Sequence, residues 1–159
     1  MLATTIKKPV ATAGEIRWLK NAQIRFLINP EDTGGDFAIV ELTSLAGLEP
    51  PPHIHQNEDE TFLLQEGEMR FFVGEQVIDA KPGMVVFAPR GIRHSFKILT
   101  PAARFHLLVS PGDFANYFRE VSTETPLDGP IEPPPPAQLS IYTQYLERHY
   151  NIRFFHDSL

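Results

Sequence analysis

The chain contains no cysteine. Disulfides and thiolate metal sites are therefore excluded, and any metal must be held by nitrogen and oxygen donors. Clustered positive charge is missing too. Lys and Arg number 14 against 20 Asp and Glu, for a net charge of −6, and the densest basic spots are pairs such as Lys7-Lys8. A nucleic-acid binder would show a basic stripe and an anionic membrane surface would ask for the same, so neither partner is expected. Long apolar runs are absent as well. The stretch from Gly83 to Pro89 is far too short to span a bilayer, and no apolar run follows the lysines near the start as a secretory signal would require. The expectation is a cytoplasmic protein.

What the sequence does contain suits one domain with a real core: 159 residues, 42% apolar and 21% charged. Short segments rich in Phe, Val, Ile and Leu recur from about residue 14 to 110, each bounded by turn residues. They are Gln23–Leu27, Phe37–Thr43, His53–His55, Thr61–Glu66, Met69–Val73, Gln76–Ala80, Met84–Ala88, His94–Thr100 and Arg104–Val109. Many short strands at this spacing predict an all-β sandwich or barrel rather than βαβ units. After Ser110 the pattern changes. Asp113 is placed to cap a short helix whose apolar face is Phe114, Tyr117 and Phe118. A linker over 121–136 ends in four prolines, and a second helix fits Ala137–Tyr150 with Leu139, Tyr142, Leu146 and Tyr150 in one stripe. The division expected is a barrel over 14–110 and a C-terminal extension over 111–159, packing on the barrel or on a partner subunit.

The chemistry concentrates in two segments. The first, GLEPPPHIHQNEDETFLLQEG, runs from Gly47 to Gly67. In a strand, side chains alternate between faces, so His53 and His55 point the same way. The polar stretch Gln56-Asn-Glu-Asp59 is a natural turn, after which a returning strand aims Glu60 at the same point. Glu58 is the rival carboxylate. The second segment, GMVVFAPRGIRHSFKI, runs from Gly83 to Ile98. A tight turn at Pro89-Arg-Gly91 lets His94 open a strand that reaches the same cavity from another side.

Both segments resemble the cupin motifs. The first fits G-x5-H-x-H-x4-E-x6-G at Gly47, His53, His55, Glu60 and Gly67. The second fits G-x5-P-x-G-x2-H-x3-N at Gly83, Pro89, Gly91 and His94, with Ile98 in place of the final Asn. The resemblance implies a double-stranded β-helix, or jelly-roll barrel, with a short C-terminal helical extension. It carries metal ligation onto His53, His55, Glu60 and His94. More loosely, Leu27–Gly35, Pro51–His55 and Pro111–Phe114 are similar to single-domain cupins grouped with quercetin dioxygenases.

Three imidazoles and a carboxylate suit one divalent transition metal ion (Fe, Mn, Ni, Co, Cu or Zn), whereas Mg and Ca prefer oxygen cages. Phe62 and Leu64 share Glu60's face, Phe96 and Ile98 share His94's, and Phe71 is a further candidate. These five either wall an apolar substrate pocket or simply fill the core. His106 is expected at the surface and Glu41 in an ion pair, and His149 and His156 carry no role. The resemblance implies a metal-dependent, dioxygenase-like oxidoreductase for a small aromatic or enol-type substrate, with Glu60 as ligand and catalytic base, working as a homodimer. The alternatives are a metal-dependent isomerase or epimerase and a non-catalytic small-molecule-binding protein.

Overall fold

Alternation of apolar and polar side chains builds the molecule. The clearest case is Ala102–Ser110, where Ala103, Phe105, Leu107 and Val109 are buried and Arg104, His106 and Leu108 between them are not. The computed structural model describes residues 12–19, 22–127 and 135–155. Within them the strands are β1 (Glu15–Leu19), β2 (Ala22–Ile28), β3 (Ala38–Leu45), β4 (His53–His55), β5 (Asp59–Glu66), β6 (Met69–Val73), β7 (Gln76–Ala80), β8 (Val85–Ala88), β9 (His94–Ile98), β10 (Ala102–Ser110) and β11 (Ile152–Phe154). The helices are α1 (Pro30–Thr33), α2 (Ala115–Val121) and α3 (Pro136–Tyr150), with a single 3₁₀ turn over Gly112–Phe114.

The strands form two antiparallel sheets. One has the order β1-β2-β3-β10-β5-β8, the other β11-β4-β9-β6-β7. Sequence neighbours such as β4 and β5 fall in different sheets, which is the winding of a double-stranded β-helix. Between the sheets the rings of Phe62 and Phe105 meet those of Phe71 and Phe96, with centroids 5.0–6.0 Å apart. Such offset and edge contacts add to the burial that each ring already contributes.

The C-terminal segment is more than a helical appendage. Thr143 and Leu146 of α3 are buried, and Asn151, in the left-handed region at φ 54°, turns the chain into β11. That strand pairs antiparallel with β4, setting Phe154 opposite His53 and Ile152 opposite His55. The strands expected from sequence did not include β1 or β11. The first is a largely exposed edge strand broken by charge, EIRWL, and the second is three residues long. The capping role expected of Asp113 does not hold: Asp113 sits exposed inside the 3₁₀ turn and makes no capping bond to α2. The tight turn pulls it past the position from which its carboxylate would face the free amides. The linker prolines Pro133 and Pro134, and His156, lie outside the described residues.

Two glycines show why the motif spacing is fixed. Gly67 turns β5 into β6 at φ +82°, and a Cβ there would stand 2.5 Å from the Ala102 carbonyl oxygen. Gly91, at φ +76°, donates its amide to the His55 carbonyl (2.8 Å), tying the β8–β9 turn to the histidine strand.

Candidate metal centre

Four side chains from three strands converge between the sheets. His53 and His55 come from β4 and His94 from the neighbouring β9, paired in register with His53. Glu60 reaches them from β5 of the opposite sheet. One ligand atom of each lies within 4.8 Å of the others, and all four residues are at most 6% exposed. Glu60 Oε2 is 2.9 Å from His94 Nε2 and 3.5 Å from His55 Nε2.

The outward nitrogens decide how the rings present themselves. His53 Nδ1 lies 2.8 Å from the Pro51 carbonyl oxygen, His94 Nδ1 3.0 Å from that of Ile92, and His55 Nδ1 3.2 Å from Glu58 Oε2. A carbonyl oxygen or a carboxylate accepts, so each Nδ1 carries the hydrogen and donates. That leaves Nε2 of the neutral ring as a lone pair, and Nε2 of both His94 and His55 faces Glu60. Lone pairs then confront a carboxylate, an arrangement that only a proton or a cation at the centre relieves. Metal–nitrogen bonds of about 2.0–2.1 Å put neighbouring ligand atoms about 3 Å apart, the scale of the separations found here. The donor set therefore fits a first-row transition ion.

Electrostatics agree with this reading. Burial, aided by the neighbouring His94 and His55, pushes His53 down to about 3, so its ring stays neutral and able to ligate. Burial alone would raise Glu60, but attraction to His55, the contact with His94 and the nearby His53 outweigh it and hold the carboxylate down to about 2. Burial would lower His55, and the adjacent Glu60 and Glu58 reverse that and raise it.

Glu58, weighed from sequence as a rival ligand, is buried at 4% exposure and spends an oxygen on the far side of the His55 ring. Asp59 points outward to Arg90, which it holds through two side-chain contacts of 2.9 and 3.1 Å. Glu41 pairs with Arg25 and Arg104 and lies 3.0 Å from His106 Nε2, all away from the cluster. Two rings were missed from sequence. Phe114 stands edge-on to His55 (centroids 4.7 Å) and Phe154 tilts over His53 (5.4 Å). The period-two pattern of Ile152-Arg-Phe154 was the available signal for the second.

Of the five residues proposed as a substrate wall, Phe62, Leu64, Phe71 and Ile98 are 2–6% exposed and packed into the core. Phe96 is half-buried and borders a cavity. The inward side chains flanking Glu60 across the sheet are the smaller Ala88 and Val109.

Residues 42–111, which contain all four converging side chains, match the cupin domain family model. That segment is a cupin domain. The chain is 28% identical over 115 residues to quercetin 2,3-dioxygenase of Bacillus subtilis (strain 168), a match covering 72% of the chain and 34% of the relative. The chain thus spans about a third of that curated relative's length. Among solved structures, oxalate decarboxylase from Bacillus subtilis superposes with a TM-score of 0.53 at 22% identity, covering 70% of this chain and 32% of that one. The cupin domain of Schizosaccharomyces pombe Cnp3 gives 0.52 at 22% identity over 65% and 70% of the two chains. KdgF from Halomonas sp. gives 0.51 at 21% identity over 57% and 78%. At these identities the structural likeness concerns the fold alone. No helix among the described residues is long and apolar enough to cross a membrane.

Proposed function

We propose that this cupin is a metal-dependent, dioxygenase-like oxidoreductase acting on a small aromatic or enol-type substrate. The observation that carries the reading is the orientation of the buried rings. Each Nδ1 is fixed by an oxygen behind it, so the imidazole lone pairs are directed at a common point beside Glu60. His53, His55, His94 and Glu60 would hold one divalent transition metal ion. Such an ion supplies Lewis-acid polarisation of a substrate oxygen and a place for O2 beside it.

The chain's own groups supply the rest. The three Nδ1–H bonds hold the rings in register. Phe114 and Phe154 exclude water from two of them. Glu60 keeps its charge in the cluster, where the histidines hold it down to about 2. A carboxylate so acidic is a poor proton acceptor, so its role as a base toward a substrate hydroxyl requires release from the imidazoles. The reaction class rests on the likeness to quercetin 2,3-dioxygenase and on the apolar side chains around the cluster. Those side chains disfavour an isomerase or epimerase of a polar metabolite. A non-catalytic small-molecule-binding cupin is the second reading, favoured by the ring cluster of Phe62, Phe71, Phe96 and Phe105 that fills the middle of the barrel. The same proposal includes a cytoplasmic homodimer, for which the edge strand β8, with Val85 and Phe87 more than half exposed, offers a contact face.

The test is elemental analysis of protein purified without chelator, followed by oxygen-electrode assays with flavonols, catechols and diketones. Oxygen uptake that disappears in Glu60→Gln and His94→Ala supports the oxidoreductase. Bound metal without uptake across all three classes transfers the assignment to the binding protein.

A further inference from the structure

A cavity of about 180 Å³, half open to solvent, lies where β9 runs past the end of β4, lined by Glu49, Pro50, Pro52, Ser95, Phe96 and Lys97. Its origin is in the sequence. β4 pairs with β9 only through His53 and His94, because the residues before His53 are Pro50, Pro51 and Pro52, which bring no amide hydrogens to the ladder. The chain passes β9 instead through Glu49, whose Oε1 accepts the Ile98 amide and whose Oε2 accepts the Gly47 amide, both at 2.8 Å. A gap is left between the proline segment and β9.

Two polar side chains at this gap are unspent. Ser95 is 5% exposed, and its hydroxyl makes no hydrogen bond among the described residues. Lys97 is exposed and has no ion-pair partner among them. Its neighbour across the ladder, Arg70, is committed to Asp79 at 2.6 and 3.0 Å and leaves Lys97 without competition for a ligand. The Ser95 hydroxyl opens on the cavity and is free to bond a ligand there.

We propose that this gap is a binding site for a small planar carboxylate, separate from the four-donor cluster. The carboxylate bonds the Ser95 hydroxyl and the Lys97 ammonium, which share a face of β9, and the flat body lies against Pro50 and Pro52. Both Glu49 oxygens already accept backbone hydrogens, so anion recognition falls to the other two groups. Size limits the ligand. An enclosed cavity of about 150 Å³ holds one benzene ring, so this half-open space of about 180 Å³ accommodates a single ring with one anionic substituent.

Benzoate is the probe, titrated against the full chain by ¹H–¹⁵N NMR both with metal bound and after chelation, with benzamide as the neutral control. The expected result is saturable benzoate binding with shifts at Ser95, Phe96 and Lys97, unchanged by chelation. Benzamide, Lys97→Met and Ser95→Ala should each weaken it at least tenfold. Circular dichroism checks that both variants keep the native fold. The proposal is overturned by no saturable binding, by Lys97→Met binding as well as the wild type, or by shifts at His53, His55 and His94 that chelation abolishes. That last outcome would put the anion on the metal cluster and would leave the oxidoreductase reading intact.

Discussion

Glu60 and His94 meet across the two sheets, Oε2 to Nε2 at 2.9 Å, and this contact joins the layers at a buried carboxylate. Replacing the carboxylate by an amide keeps the shape and removes the negative charge that offsets a divalent ion. Glu60→Gln is therefore expected to purify with far less than one equivalent of metal where the wild type retains about one, as read by plasma mass spectrometry. Equal metal content in the two proteins would show that Glu60 is not a ligand.

Glu58 does its work one step further out. Its Oε2 lies 3.2 Å from His55 Nδ1 and fixes which nitrogen of that ring faces the cluster. Partners of this kind cost about 10–100-fold in metal affinity when removed. Glu58→Gln should fall in that range in a competition titration against a coloured chelator, while still binding one ion per chain. Complete loss of metal would instead make Glu58 a direct ligand.

The chelated protein should be acid-labile in a defined window. His53 sits at about 3 in the fold against 6.5 when free, so between those values the unfolded chain binds a proton that the folded chain refuses. Stability therefore falls as pH drops below 6.5, by about 1.4 kcal/mol per unit for one proton. Glu60, at about 2 against 4.5, adds a second proton uptake below 4.5 and steepens the loss. His55 is raised, so its contribution is present below 6.5 and fades as pH climbs through its folded value. Urea midpoints in chelator should peak near pH 6.5, and His53→Gln should flatten the limb between 6.5 and 4.5. A wild-type curve without that limb would contradict the buried neutral ring.

The two histidine segments made the site legible in advance because a strand's period of two and fixed turn residues leave few ways to place His53, His55, Glu60 and His94. Strand boundaries from β4 to β9 fell within two residues of those expected from the same punctuation, since Gly67, Gly74, Gly83 and Gly91 all adopt positive φ. What stayed hidden depends on contacts between distant residues. Glu58 and Glu60 differ in role only because one lies behind the His55 ring and the other in front of it. Ile152–Phe154 is a strand because β4 has a free edge for it, a fact no local pattern contains. The ambiguity of Phe62 and Phe71 was equally real, for an apolar inward residue reads the same whether it lines a space or fills it.

Gly67 offers a test of the backbone constraint. At φ +82° an alanine is strained, and its Cβ would press the Ala102 carbonyl at 2.5 Å and Thr100 Oγ1 at 2.7 Å. Left-handed strain of this sort costs about 1–3 kcal/mol, and the clash adds to it. Gly67→Ala should lower the denaturant midpoint by at least that strain, whereas Gly35→Ala, also at positive φ but with nothing within 4 Å of the added Cβ, should cost less. Equal losses would mean that the contact with β10 contributes nothing.

The last prediction concerns the C-terminal strand. Phe154 is 8% exposed and lies against His53, and its strand shields the edge of β4 that carries two of the four converging side chains. Truncating it removes a core ring at a cost of about 3–5 kcal/mol. It also frees the His53 ring, so the loss should have two signatures. Phe154→Ala should unfold at lower urea and show faster hydrogen exchange at the β4 amides. Its metal affinity should fall by more than that of Phe105→Ala, a core variant whose ring makes no contact with the histidines. If both variants lose stability and metal affinity in the same proportion, Phe154 acts on the site only through global stability, and β11 is a structural clamp with no influence of its own on the centre.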